Sequence, residues 1–242
     1  MSERPRVLAH RGSSAEAPEN TLAAFRLARR DGADGVELDV MRCASGEVVV
    51  FHDDELDRLC GVAGRVAATP WATLRTLAVR GERIPLLDEV LDALGPVLVN
   101  IELKAAPGWR ARFVDDGLVD AVVDVLGRRG GGERAVVSSF DPILLARFRR
   151  RMPGVRTGML FSADQALPLR RGWATPLVGA DGVHPQAALC DERSVARWRR
   201  RGLAIRVWTV DDAAEIRYLA SLGVDAIITN RPREALAALE AA

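Results

Sequence analysis

Lysine, cysteine and tyrosine are scarce in this chain: one lysine, three cysteines and one tyrosine among 242 residues. Cys43, Cys60 and Cys190 are odd in number, far apart and without a C-x-x-C pair. That pattern excludes a disulfide framework and a thiolate zinc site, and it points to a reducing, cytoplasmic setting. No run approaches the roughly 18 apolar residues of a membrane span, and no apolar secretion core precedes the first expected strand. An excess of charge of one sign is missing too, with Lys plus Arg at 34, Asp plus Glu at 33 and a net charge of +1. Neither a nucleic-acid binder held by bulk charge nor an acidic tail is expected. A hydrophobic fraction of 48% is ample for a core and too high for a disordered chain. Arginine supplies nearly every positive charge, so Lys104 is either a position that requires an ammonium or a chance survivor.

Short β-branched runs alternate with helical patterns along the whole chain. Strands are expected at Val7–His10, Gly35–Val40, Val48–His52, Val97–Lys104, Ala135–Ser139, Arg156–Phe161, Ala180–His184, Ala204–Val210 and Asp225–Thr229. Helices are expected at Thr21–Arg30, Leu86–Leu94, Asp115–Arg129, Asp141–Arg150, Glu192–Arg201, Ala213–Leu222 and Pro232–Glu240. Pro142 and Pro232 sit in first helical turns, and Gly32, Gly95, Gly130, Gly202 and Gly223 sit where C-terminal caps belong. Such alternation means a parallel sheet. The second and third strands are too close for a parallel crossover and form a hairpin. Eight βα units remain, which matches a (β/α)8 TIM-type barrel in one domain spanning 1–242. A doubly wound sheet is the alternative, but no G-x-G-x-x-G follows the first strand. Centring the hairpin turn on Cys43–Gly46 sets Glu37 opposite His52. The turn-rich segment of about 53–83 reads as a small insertion over the barrel end, a candidate lid.

Polar residues gather at the C-terminal strand ends, where barrel enzymes keep their sites. The first strand ends His10-Arg11-Gly12, and the second carries Glu37 and Asp39 on one face. The hairpin returns to His52-Asp53, and the next strand ends Glu102-Leu103-Lys104. Each piece alone has an ordinary structural explanation; their convergence on one barrel end does not. Three carboxylates without a cysteine suit a hard cation, Mg²⁺ or Ca²⁺. Arg11 and Lys104 suit a phosphate. His10 and His52 suit acid–base work near neutral pH. Together they read as phosphodiester cleavage.

The ordered series Leu8-Ala9-His10-Arg11-Gly12, Ala17-Pro18-Glu19-Asn20-Thr21, Val36-Glu37-Leu38-Asp39-Val40, Phe51-His52-Asp53, Ile101-Glu102-Leu103-Lys104, Val207-Trp208-Thr209-Val210 and Ile227-Ile228-Thr229-Asn230-Arg231-Pro232 resembles the glycerophosphodiester phosphodiesterase family over the whole chain. The resemblance implies a βα barrel that hydrolyses glycerophosphodiesters to glycerol 3-phosphate and an alcohol. It implies that Glu37, Asp39 and Glu102 hold one divalent cation, that His10 and His52 are the acid–base pair, and that Arg11 and Lys104 bind phosphate. Glu19 and Asn20 match a segment lining the site. His184, Trp208 and Phe140 fall at later strand ends and are placed to line the pocket. Asp211 stands where the family commonly has Asn. The nucleophile is either the glycerol 2-hydroxyl or water, with His52 favoured as the acid. The expected partner is a small-molecule diester, without nucleic acid or stable membrane insertion, and the oligomeric state stays open. Alternatives are a phospholipase D-like enzyme acting on lysophospholipids and a non-catalytic barrel that binds a phosphate ligand.

Overall fold

The computed structural model describes residues 4–105, 116–130, 132–170 and 172–241. In chain order the elements are β1 (Arg6–His10), α1 (Leu22–Arg30), β2 (Gly35–Arg42), β3 (Val48–Val50), α2 (Asp57–Cys60), α3 (Trp71–Leu74), β4 (Ala78–Val79), β5 (Glu82–Arg83), α4 (Leu87–Leu94) and β6 (Leu98–Leu103). They continue with α5 (Leu118–Arg128), β7 (Ala135–Ser139), α6 (Pro142–Arg151), β8 (Arg156–Phe161), α7 (Leu167–Arg170), α8 (Thr175–Val178), β9 (Gly182–Pro185), α9 (Glu192–Arg199), β10 (Ala204–Val207), α10 (Ala213–Ser221), β11 (Ala226–Thr229) and α11 (Pro232–Glu240). The expected start of α5 at Asp115 lies outside the described residues.

Eight parallel strands follow one another as β1, β2, β6, β7, β8, β9, β10 and β11, and β11 pairs back onto β1. The sheet is therefore a closed barrel, as the count of βα units implies. Residues that point outward, such as Val7, Val36, Leu38, Ile101, Val137, Val183, Ile205 and Ile227, pack under the helices in the main apolar core. Alternate residues point inward. Leu8, Leu98, Val136, Ala226 and Ile228 form a small apolar plug there, and charged residues occupy the C-terminal end above it.

A short motif repeats at the other end. Gly32-Ala33-Asp34, Gly179-Ala180-Asp181 and Gly223-Val224-Asp225 each lead from a helix into a barrel strand. The three glycines take φ of 82°, 67° and 76°, a left-handed turn that side chains resist. This brings each aspartate under the neighbouring strand. Asp34 accepts from the Val7 N–H at 2.7 Å, Asp181 from Thr157 at 2.9 Å and Asp225 from Ile205 at 2.7 Å. Arg4, Arg149 and Arg199 pair with the three carboxylates in the same order. The backbone N–H bonds to these carboxylates are charge-assisted, whereas the half-exposed arginine pairs add little.

The β2–β3 hairpin forms, with a register one residue from the expected one. Val40 pairs with Val50 and Met41 with Val49, so Glu37 is not opposite His52. The loop is Ala44–Gly46, closed by Cys43 and Glu47, which is one residue longer in its centre than a turn on Cys43–Gly46. β3 ends at Val50, so His52 stands beyond the strand. The following segment is more regular than its sequence suggests. Two four-residue helices and the β4–β5 hairpin bring Leu56, Val66, Leu74, Val79 and Ile84 onto Met41, Cys43, Val49 and Phe51, forming a separate apolar cluster. No helix among the described residues is long and apolar enough to cross a membrane.

Candidate active site

The period of two along β2 turns Glu37 and Asp39 inward while Val36, Leu38 and Val40 stay in the outer core. Parallel registration sets His10 beside Glu37 and Asp39 beside Glu102. Glu37, Asp39 and Glu102 are buried and bring one carboxylate oxygen each within 4.8 Å of one another. Burial raises Glu37 well above the ordinary carboxylate range, and Asp39 and Glu102 push it further. Burial also raises Glu102, to about 7, against the pull of Lys104. For Asp39 burial acts upward as well, but Lys104 and Arg11 outweigh it and hold the group at about 2. Three buried oxygen donors that repel one another fit a hard divalent cation, whose charge would remove that repulsion.

Two cations flank the cluster. Lys104 Nζ lies 3.0 Å from Glu102 Oε1 and 3.4 Å from Asp39 Oδ1. Arg11 has a φ of 56°, and this bend turns its N–H back onto Glu37, whose carbonyl and Oε2 it meets at 2.9 and 3.2 Å. Its side chain pairs with Glu19 at 2.8 Å and approaches Asp39 at 3.2 Å. Asn20 donates to Asp39 Oδ2 at 2.9 Å. Thr21 caps α1 through its hydroxyl.

The two histidines have different anchors. His10 Nδ1 lies 2.7 Å from Asn230 Oδ1, and its Nε2 is 3.9 Å from Glu37. Burial, aided by Arg11, lowers His10 to about 4. His52 Nδ1 lies 2.5 Å from Asp53 Oδ1. Burial lowers His52 as well, against the opposing charge of Asp39. Arg58, on α2 of the insertion, binds Asp53 through Nε and Nη2 and binds Glu19 through Nη1 and Nη2.

A cavity of about 710 Å³ opens at this barrel end. One arc, from β1, β2, the hairpin and β6, carries His10, Arg11, Glu37, His52, Glu102 and Lys104. The other arc is largely uncharged. Phe140 follows β7, Leu160 comes from β8 and Ser162 follows it, Gln186 follows β9 and Trp208 follows β10. Phe140 and Trp208 meet edge to face at 5.5 Å. His184 does not line this cavity. Its ring is fully buried against Gly158, where even a Cβ would come within 2.2 Å of Nε2, and its Nε2 lies 3.4 Å from Arg206. The inward face of β9 at His184 lies below the mouth, so its ring fills the barrel interior. Its carbonyl still reaches the site indirectly, accepting from Trp208 Nε1 at 2.7 Å. Arg58 and Asp211 bear on the site, but the motif reading gave them no role there. Glu19, which Arg58 binds, and Thr229 and Asn230, which Asp211 binds, are far away in sequence, and no spacing rule pairs them.

The barrel carries its buried carboxylates and its two anchored histidines at the C-terminal end. A solved phosphodiesterase from Oleispira antarctica, in complex with the product sn-glycerol-3-phosphate, superposes with a TM-score of 0.87 at 29% identity over 98% of this chain and 97% of its own. A putative glycerophosphoryl diester phosphodiesterase from Silicibacter pomeroyi gives 0.88 at 28% identity over 98% and 94%. A glycerophosphodiester phosphodiesterase of Caldanaerobacter subterraneus subsp. tengcongensis is 32% identical over 93% of this chain and 94% of that protein. A probable glycerophosphodiester phosphodiesterase 1 of Mycobacterium tuberculosis is 34% identical over 99% and 94%. The glycerophosphoryl diester phosphodiesterase family model matches residues 10–234, and the chain belongs to that family of enzymes.

Proposed function

We propose that this single barrel domain hydrolyses glycerophosphodiesters to sn-glycerol 3-phosphate and an alcohol, using a divalent cation and the His10–His52 pair. The observation that carries the reading is the charged arc itself, where Glu37 and Glu102 of the buried carboxylate trio, two cations and two anchored histidines face one cavity. Glu37, Asp39 and Glu102 are the residues to hold Mg²⁺ or Ca²⁺, which when bound supplies positive charge beside the phosphoryl oxygens. Arg11 and Lys104 bind the phosphate and offset charge that grows as the phosphorus is attacked. His10, neutral near pH 7, accepts the proton of the attacking hydroxyl, either the glycerol 2-hydroxyl or water. The new P–O bond forms as the bond to the alcohol breaks, and His52 gives the leaving oxygen its proton. Attack by water yields sn-glycerol 3-phosphate directly, whereas attack by the 2-hydroxyl yields a cyclic phosphate that a water molecule then opens to sn-glycerol 3-phosphate. Only His52 has a carboxylate, Asp53, on Nδ1 to support the imidazolium this role requires. The three unpaired cysteines support a cytoplasmic setting.

The test is release of sn-glycerol 3-phosphate from glycerophosphocholine, with EDTA and then with Mg²⁺ or Ca²⁺ restored. Release that EDTA stops and one cation restores is expected. His10→Ala and His52→Ala should each lower turnover on the order of 10²-fold or more. Lys104→Arg should lower it as well, because a planar guanidinium cannot occupy the same point between Asp39 and Glu102. No release from any of several glycerophosphodiesters by a cation-loaded, folded protein would overturn the reading.

A further inference from the structure

The geometry points to Asp211 as a positioning residue that, through the side-chain amide of Asn230, holds His10 in its Nδ1–H tautomer and presents the lone pair of Nε2 to the substrate. The inference adds to the proposed function a residue that touches neither phosphate nor cation.

Donors and acceptors alone decide the orientation. Asp211, as a carboxylate, can only accept. Its Oδ1 accepts from Thr229 Oγ1 and from the Asn230 backbone N–H, both at 2.8 Å. The Thr229 hydroxyl oxygen in turn accepts from the Arg231 N–H at 3.1 Å, so its own proton is free for Asp211. Asp211 Oδ2 lies 2.6 Å from the Asn230 amide nitrogen, and only the NH₂ end of that amide can face a carboxylate. The carbonyl end, Oδ1, is thereby turned to His10 Nδ1 at 2.7 Å. A carbonyl oxygen has no proton to give, so Nδ1 must carry the hydrogen and Nε2 must be the bare nitrogen. Ser14 Oγ lies 2.8 Å from Asn230 Oδ1 and 2.7 Å from the His10 carbonyl, and its hydroxyl suits either amide orientation. The choice rests on Asp211.

One atom should therefore reverse the arrangement. In Asp211→Asn the oxygen must stay at the Oδ1 position to serve Thr229 and the Asn230 N–H. An NH₂ then stands where Oδ2 was. Two NH₂ groups cannot face each other, so the Asn230 amide turns over and offers its own NH₂ to His10. Nδ1 must then accept, and the hydrogen moves to Nε2, which can no longer take the proton of the nucleophile. Adding Asn230→Asp repairs the chain, because a carboxylate at 230 accepts from both the new amide and His10 Nδ1.

Long-range ¹H–¹⁵N spectra of the 242-residue chain report the tautomer, with His10 assigned by its loss in His10→Gln. The wild type should show hydrogen on Nδ1. Asp211→Asn should move it to Nε2 and lower kcat on the order of 10²-fold, with KM little changed. The D211N/N230D double variant should recover both the spectrum and most of kcat. A wild type with hydrogen on Nε2 would overturn the inference by itself. An unchanged tautomer and kcat in Asp211→Asn would do so too, as would a folded double variant that recovers neither. The spectra read the tautomer even if no glycerophosphodiester is cleaved, an outcome that would sink only the proposed reaction.

Discussion

His184 shows how a single side chain can belong to the stability of a barrel rather than to its chemistry. The ring is buried between the backbone of Gly158 and the guanidinium of Arg206, and burial, with that positive neighbour, lowers its proton affinity far below the usual 6.5. The unfolded chain therefore binds a proton at His184 that the folded chain refuses. Its contribution to stability is complete above about pH 6.5 and is lost as pH falls towards the lowered folded value. The slope is about 1.4 kcal/mol per pH unit. Replacing it by Gln removes one proton from that difference. Denaturant unfolding of the wild type and His184→Gln between pH 7 and 5 should give stabilities that fall less steeply in the variant. Equal slopes would show that His184 titrates alike in both states. The sequence placed this histidine at a strand end but could not say which way a ring with neighbours on other strands would point.

Among the elements, the insertion after β3 is the one that joins two parts of the site. Its own apolar cluster folds it onto the hairpin face that carries Met41 and Val49, and α2 then lays Arg58 between Asp53 and Glu19. One of these carboxylates holds His52 and the other holds Arg11. The Arg58 side chain is 49% exposed, so its pairs add little to stability, while its planar fork bridges the two carboxylates that hold His52 and Arg11. Arg58→Ala should leave the melting temperature nearly unchanged and lower kcat/KM by up to roughly 10²-fold, and Lys should not restore it. A variant that melts early with full kcat/KM would assign Arg58 to the fold instead. The helices themselves were legible with their ends within a few residues, because Thr21, Asp141, Asp191 and Asp212 cap them locally. The short pieces of the insertion were not. Four-residue helices carry no periodicity, and tertiary contact holds them.

At the scale of the whole molecule the closed barrel stores three mutually repelling carboxylates at its mouth. A cation that binds only the folded form at about 100 times its Kd adds roughly 2.7 kcal/mol, or roughly 5–10 °C in a chain of this size. Mg²⁺ or Ca²⁺ should raise the melting temperature of the EDTA-treated protein by that order. Glu37→Gln removes from the trio a carboxylate that burial already holds well above the ordinary range. It should leave the cation-free protein no less stable and abolish most of the cation response in a thermal melt. An undiminished response would exclude Glu37 from the cation site.

Sequence alone determined the alternation of strands and helices, the eightfold count and the identity of the charged residues at strand ends. These follow from local periodicity, caps and turn length, all of which act within a few residues. It also sufficed for the family resemblance, because the motif residues stand in order along the chain. Tertiary structure decided the rest. Barrel closure put Asn230 on β11's end beside His10 on β1, two positions 220 residues apart. A one-residue difference in the hairpin loop moved His52 off the expected register, and the inward face of β9 buried His184 below the cavity. Each of these turns on which side chain meets which across strands, a relation fixed by three-dimensional packing and absent from any local pattern.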